Sequence, residues 1–327
     1  MRPLPKVELH LHLDCSLSYA AVFRLAPQVT REEYDAEFIA PPQCASLADF
    51  LIRAPRGFQL MQSEDALRIV TEDVFEQLRT DNVIYAELRF APLLHIFRGL
   101  TPEAVVAAVD RATEACIRSM GIEARLILCT LRHFTREQSL ETAKLVNQFR
   151  GSRVVALDIA GDEASFPIDP HIPAYRYAIE HGLARTAHAG EARGADSVWE
   201  TLKNLEPARI GHGVRSVEDP ALLDYLRARH IHLEVCPSSN VQTRAFASYS
   251  EHCIDELYRS GVPLGINTDA RTITNVTLEQ EYARLRQAFG WGDEELQACN
   301  REALRAAFVD DGVRARLIAG LDAATPA

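Results

Sequence analysis

Residues 7 to 14 read Val-Glu-Leu-His-Leu-His-Leu-Asp, with apolar side chains at Val7, Leu9, Leu11 and Leu13 and polar ones at Glu8, His10, His12 and Asp14. This strict two-residue period is the pattern of a β-strand with unlike faces, and it points His10 and His12 the same way. Short apolar strand patterns return over residues 82–91, 124–131, 154–160, 184–188, 208–212, 231–236 and 262–267. Between them the apolar spacing changes to three and four residues, which predicts helices over 102–120, 136–149, 174–181, 197–205, 219–229 and 249–260. Eight strand-then-helix units in one chain imply an α/β fold, most simply a closed parallel (β/α)8 TIM barrel. A doubly wound sheet is the alternative topology.

Two stretches exceed a minimal barrel. The segment from Ser16 to Thr80 is too long for one crossover and contains a Pro41-Pro42 loop, with helical pattern from Leu47 onward. It reads as a helical lid over the barrel mouth. Beyond Thr277, helical patterns over 278–289, 293–308 and 313–321 predict extra C-terminal helices outside the barrel. With no linker, repeat or low-complexity stretch, residues 1–327 are expected to form a single domain.

Composition narrows the function classes. The chain is 47% hydrophobic and 25% charged, as ordinary globular proteins are, and its net charge of -11 argues against a nucleic-acid partner. No apolar run is long enough for a membrane span, and the first strand starts too near Met1 for a secretory signal, so a cytoplasmic location is expected. The seven cysteines are scattered and never spaced as CxxC, which indicates neither a disulfide framework nor a thiolate metal site. Oligomeric state is not legible.

In such barrels chemistry lies at the carboxyl ends of the strands, and the unusual polar residues of this chain fall there. They are His10 and His12, then Asp158 with Gly161-Asp162-Glu163, His188-Ala-Gly-Glu191, Gly211-His212-Gly213, Cys236-Pro237 and Thr268-Asp269. Three imidazoles and a carboxylate, from His10, His12, His188 and Asp269, make a shell for Zn2+ with one position left for water. Glu191, three residues past a ligand, is placed to exchange protons with a substrate above the metal. Small residues around His188 and His212 suit backbone that approaches a ligand closely.

Lys6-Val-Glu-Leu-His-Leu-His-Leu-Asp14, Gly161-Asp-Glu163, His188-Ala-Gly-Glu191, Gly211-His-Gly213, Glu234-Val-Cys-Pro237 and Asn267-Thr-Asp269, in this order, resemble the adenosine deaminase family of the amidohydrolase superfamily. The resemblance implies hydrolytic deamination of adenosine or 2′-deoxyadenosine to the inosine product and ammonia, with one zinc on His10, His12, His188 and Asp269. It also implies that Glu191 protonates purine N1, that His212 orients or deprotonates the attacking water, that the Gly161 amide meets N3, and that Asp14 meets the ribose 5′-hydroxyl.

Two positions depart from the family pattern. Cys15 stands where glycine usually follows the aspartate, and Ala270 stands where an Asp or Asn usually pairs with purine N7. Arg271 and Asn275 are the nearest polar side chains in sequence that could substitute. Adenine or a 5′-modified adenosine is therefore an alternative substrate, and a catalytically silent zinc-binding relative is an alternative of a different class. A binuclear hydrolase that uses a lysine at the end of the fourth strand is disfavoured, because Lys6, Lys144 and Lys203 all lie elsewhere.

Overall fold

The computed structural model describes residues 4–324. All eight predicted strands are present: β1 Lys6–His12, β2 Val83–Phe90, β3 Glu123–Leu131, β4 Val154–Ala160, β5 Ala184–Ala189, β6 Arg209–His212, β7 His232–Val235 and β8 Leu264–Ile266. They run parallel in the order β1 to β8, each paired with its successor, which is the order of a barrel and not of a doubly wound sheet. Helices connect them on the outside, and Asp293–Ala306 lies against β8 and β1. No helix among the described residues is long and apolar enough to cross a membrane.

β8 has only three residues and pairs along its length with β7, whereas toward β1 there is a single bridge, Leu11 to Asp269, so the last gap is closed largely by a side chain. Asn267 Oδ1 accepts the N–H groups of Leu9 and His10 at 2.7 and 3.0 Å. Asp269 then continues the join, its N–H donating to His10 O at 3.1 Å while its own carbonyl accepts from His12 N–H at 2.8 Å.

The alternation seen in β1 separates two buried environments. Val7 and Leu9 pack outward on Ala303 and Leu304, while Glu8 and His10 are fully buried among polar groups. Much of the interior is ionic. Arg89 reaches Asp158 Oδ2 at 2.8 Å and Glu234 Oε2 at 2.6 Å, and Arg209 joins Glu234 Oε1 at 2.7 Å to Glu87. Buried charges persist only when paired in this way.

Four features differ from the sequence pattern. β1 ends at His12, and Leu13–Cys15 form a 3-10 turn, so Asp14 lies beyond the strand. The segment after β1 holds two early helices that the periodicity did not predict, Tyr19–Leu25 and Arg31–Glu37, followed by Leu47–Leu51 and Ala54–Phe58. At seven residues each, the early pair are too short for a periodic signal. Their mark in the sequence is at the caps, where Ser18 accepts from Ala21 N–H and Thr30 forms a capping box with Glu33. Glu64–Thr80 belongs to the barrel and not to the lid, packing beside Pro102–Met120 as its first outer helix. The helix predicted over 249–260 is divided into a 3-10 turn, Tyr249–Glu251, and a helix, Ile254–Arg259.

Because Arg209 neutralises both Glu87 and Glu234, Arg209→Ala should lower the unfolding free energy by about 3–5 kcal/mol. Urea denaturation followed by circular dichroism measures this, and a loss under about 1 kcal/mol would show the pair to be dispensable.

Candidate active site

The carboxyl ends of β1, β5 and β8 bring His10, His12, His188 and Asp269 together, with donor atoms all within 4.8 Å of one another. His12 Nε2 stands 3.2 Å from His188 Nε2, and Asp269 Oδ1 stands 3.4 Å from Nε2 of both His10 and His12. Each of three members is gripped from behind. Glu234 Oε2 holds His10 Nδ1 at 2.9 Å, Asp158 Oδ1 holds His188 Nδ1 at 3.2 Å, and Ser239 Oγ donates to Asp269 Oδ2 at 2.7 Å. With Nδ1 donating to Glu234, His10 Nε2 turns a lone pair to the cluster, and it has no hydrogen-bond partner although fully buried. An orphaned buried nitrogen is costly unless a cation takes its lone pair. Three imidazoles, one carboxylate and an open side fit zinc.

Backbone geometry aims these groups. His212 and Asp269 both adopt left-handed conformations, with φ of +60° and +66°, which residues other than glycine hold only when their surroundings demand it. At Gly211 a Cβ would lie 3.0 Å from His10 Cε1 and 3.2 Å from the His188 ring, so any side chain there would push on two of the clustered imidazoles. At Gly213 a Cβ would meet Leu233 Cδ2 at 2.6 Å. These glycines make room for the imidazoles and the core as well as for a ligand.

The loop after β5 is built on Glu163. Its Oε1 accepts from Gly190 N–H at 2.7 Å, and its Oε2 accepts from Glu191, Ala192 and Arg193 N–H at 2.9, 2.7 and 3.0 Å. Glu191 is thereby fixed with Oε2 3.6 Å from His212 Nε2. Burial, with the carboxylates of Asp269 and Glu163 adding to it, pushes the Glu191 carboxyl well above the usual range. Burial also pushes His12 down to about 3 and lowers His188 and His212, so these imidazoles are neutral, as metal ligation and hydrogen bonding require.

A cavity of about 400 Å³ opens beside His12 and is lined by Asp14, Cys15, Leu51, Phe58 and Gly161 among others. A larger groove of about 820 Å³ runs behind Ser238 but contains none of the four clustered side chains. Asp14 is turned partly away from the cavity, its Oδ2 accepting from Ala91 N–H at 3.1 Å and lying 3.8 Å from His95 Nε2. Cys15 packs against an apolar group that includes Ala270, Phe50 and Ile273. The two departures from the family pattern thus pack in one apolar cluster, and of the two Cys15 lines the cavity. Neither sequence candidate for replacing the lost polar contact reaches it, since Arg271 pairs with Glu8 and Asp81 at 2.7 Å each and Asn275 lines the other groove.

Sequence reasoning placed the clustered side chains at one rim but assigned no part to Arg89, Glu163, Ser239 or Asn240. Glu163 and Glu234 lie within the motifs Gly161-Asp-Glu163 and Glu234-Val-Cys-Pro237, whereas Arg89 is marked in the sequence by the alternation of Tyr85, Glu87 and Arg89 along β2.

A parallel eight-stranded barrel with three imidazoles and a carboxylate at its carboxyl rim is a metal-dependent hydrolase of the amidohydrolase type. The family model described as Adenosine deaminase matches residues 5–324, and the chain belongs to that family of aminohydrolases. The adenosine deaminase of Clostridium acetobutylicum is 34% identical over 326 residues, which cover 98% of this chain and 97% of the relative. Among solved structures, the adenine deaminase of Arthrobacter aurescens superposes with a TM-score of 0.90 at 26% identity over 98% of each chain. The Arabidopsis N6-mAMP deaminase gives 0.86 at 28% identity over 98% of each chain. An amidohydrolase from Burkholderia ambifaria, crystallised with bound Zn, gives 0.89 at 25% identity over 98% of this chain and 90% of that one.

Ser239 is the hydroxyl that braces Asp269 Oδ2 among the described residues, so Ser239→Ala should weaken affinity for a divalent cation about 10–100-fold. Competition against a chromogenic chelator reads this directly, and unchanged affinity would show that Asp269 is held by its backbone alone.

Proposed function

We propose that the protein catalyses the zinc-dependent hydrolytic deamination of adenosine or 2′-deoxyadenosine, giving inosine or 2′-deoxyinosine and ammonia. The observation that carries this reading is Glu191, a buried carboxyl at the carboxyl rim whose Oε2 lies 3.6 Å from His212 Nε2 and whose burial pushes it well above the usual carboxylate range. A mere metal binder has no use for an acid there. One zinc ion per chain on those four residues supplies water made acidic enough to attack at neutral pH.

The remaining work falls to the chain. Glu191 donates its proton to ring N1, which removes the aromaticity that protects C6 from attack. His212 orients the attacking oxygen; one proton of the attacking water passes to the amino group, which departs from C6 as ammonia, and the other, left on the new C6 oxygen, returns to the Glu191 carboxylate and restores the acid. Gly161, with φ of +102° in the cavity wall, presents its amide toward N3, and Asp14 lies at the end that would receive the ribose.

The cavity lining supports a neutral substrate. It contains the carboxylates of Asp14 and Asp162 and, among the described residues, no lysine or arginine, while burial holds His133, the imidazole there outside the metal cluster, toward its neutral form; a 5′-phosphate would enter beside like charge. Apolar residues Leu51, Phe58 and Leu131 extend it beyond the space a single ring system occupies, which favours a nucleoside. Adenine is the second reading, favoured by one observation: the Asp14 carboxylate is already engaged by Ala91 and His95, leaving less for a ribose hydroxyl.

Glu191→Gln should keep zinc and substrate binding while lowering kcat by at least about 10²–10⁴, because an amide cannot supply the proton. Near-normal steady-state turnover would remove Glu191 from the mechanism. A substrate panel tests the rest. Adenosine should exceed adenine in kcat/KM, AMP should fall at least about 100-fold below adenosine, and 7-deazaadenosine should stay within about tenfold of it, since Ala270, packed in an apolar cluster with Cys15, has no polar side-chain group to offer N7. AMP as the preferred substrate would overturn the reading, and a 7-deaza penalty of about 100-fold would reveal a direct N7 contact.

A further inference from the structure

His212 faces the site with one ring nitrogen and the protein interior with the other, and the inner nitrogen meets a chain of hydrogen bonds that runs out to a helix terminus. Ile254 N–H, in the first turn of helix Ile254–Arg259, has no acceptor within its own helix and donates to His252 Nδ1 at 3.1 Å. A backbone N–H can only donate, so His252 Nδ1 carries a lone pair. Burial pushes His252 down to about 3, so its single proton sits on Nε2, which lies 3.2 Å from Asn240 Oδ1. That contact obliges Asn240 to accept with its oxygen and so to turn its NH2 toward His212 Nδ1, 3.1 Å away. An amide NH2 facing Nδ1 excludes a proton there. The reversed amide would set its NH2 against the His252 Nε2–H, donor against donor, in a side chain that is fully buried, where solvent cannot relieve the clash.

We propose that Asn240 and His252 are positioning residues that lock His212 in the neutral form protonated on Nε2, so that His212 offers the active site a hydrogen-bond donor and never a basic lone pair. The inference rests on the deaminase reading and deepens it. Of the two parts open to His212, orienting the attacking oxygen or accepting its proton, the relay permits the first. The direction of every bond in it is fixed by one backbone N–H some way from the chemistry, the same physical device by which a buried carboxylate fixes the tautomer of a catalytic histidine elsewhere.

Long-range proton–nitrogen correlation spectra of the full-length protein labelled with 15N-histidine test this without turnover, with His212 assigned by its loss in His212→Gln. His212 should show a protonated Nε2 and a bare Nδ1. A proton on Nδ1 overturns the proposal. Asn240→Asp keeps the size of the side chain but replaces its donor by an acceptor. In that variant the His212 proton should move to Nδ1, and kcat for adenosine should fall about 10²–10⁴-fold with KM within about threefold. An unchanged kcat in a folded Asn240→Asp protein also overturns it. His252→Gln, which retains a donor toward Asn240, should be at least about tenfold faster than His252→Leu, and equal rates would remove His252 from the relay. Should these variants not fold, the wild-type spectrum still decides. Should the wild-type protein deaminate none of the purines, the functional reading fails while the spectrum reports on the tautomer independently.

Discussion

The barrel closes where its last strand is shortest, and the side-chain oxygen of Asn267 holds that seam by accepting two successive N–H groups of the first strand. Each such bond is worth only about 1 kcal/mol net, but leaving those buried N–H groups unpaired would cost more. The seam also decides the chemistry. Two residues past Asn267 the chain is laced to β1 through Asp269, whose N–H and carbonyl bond to His10 and His12. The same bonds that complete the cylinder therefore deliver the carboxylate to the two imidazoles, and the left-handed turn at Asp269 swings its side chain inward.

Behind the clustered side chains the barrel replaces oil with salt. Arg89 touches both Asp158 and Glu234, and those carboxylates in turn orient His188 and His10. A hydrophobic filling of equal volume could give a barrel of comparable or greater stability. It could not fix which nitrogen of each imidazole faces the site, and that is the task to which the buried charges are put. Arginine suits it better than lysine, since a guanidinium serves two carboxylates at once and does not lose its proton on burial. The chain has only three lysines, and the interior network around Glu234 is built from arginine.

Much of this was legible because strand ends are local in sequence. His10 and His12 share a face by periodicity, and His188, His212 and Asp269 each end an apolar run, so the rule that barrels work at their carboxyl rim collected them. Residues that act by reaching across the barrel left no such trace. Arg89 and Glu234 are 145 positions apart, Glu163 caps a loop 27 to 30 positions away, and His252 influences His212 through Asn240. Nothing in the local pattern pairs them. The early lid helices escaped for a different reason, being too short for periodicity and visible only through the hydroxyls at Ser18 and Thr30. Asp14 was read as a continuation of β1, but the 3-10 turn after His12 breaks the alternation that placed it there.

The lid contributes Ala48, Leu51, Ile52, Ala54, Pro55 and Phe58 to the cavity and none of the side chains in the cluster. The rest of the cavity wall comes from the strand ends, where His12, Asp14, Leu131 and Gly161 stand beside the chemistry. The lid's share is one contiguous stretch of eleven positions, Ala48 to Phe58, that takes no part in the ionic interior around Arg89 and Arg209. A lineage can therefore rewrite that stretch by drift, insertion or recombination while the strand ends stay as they are, and the part of specificity that the lid carries can change as a cassette is exchanged.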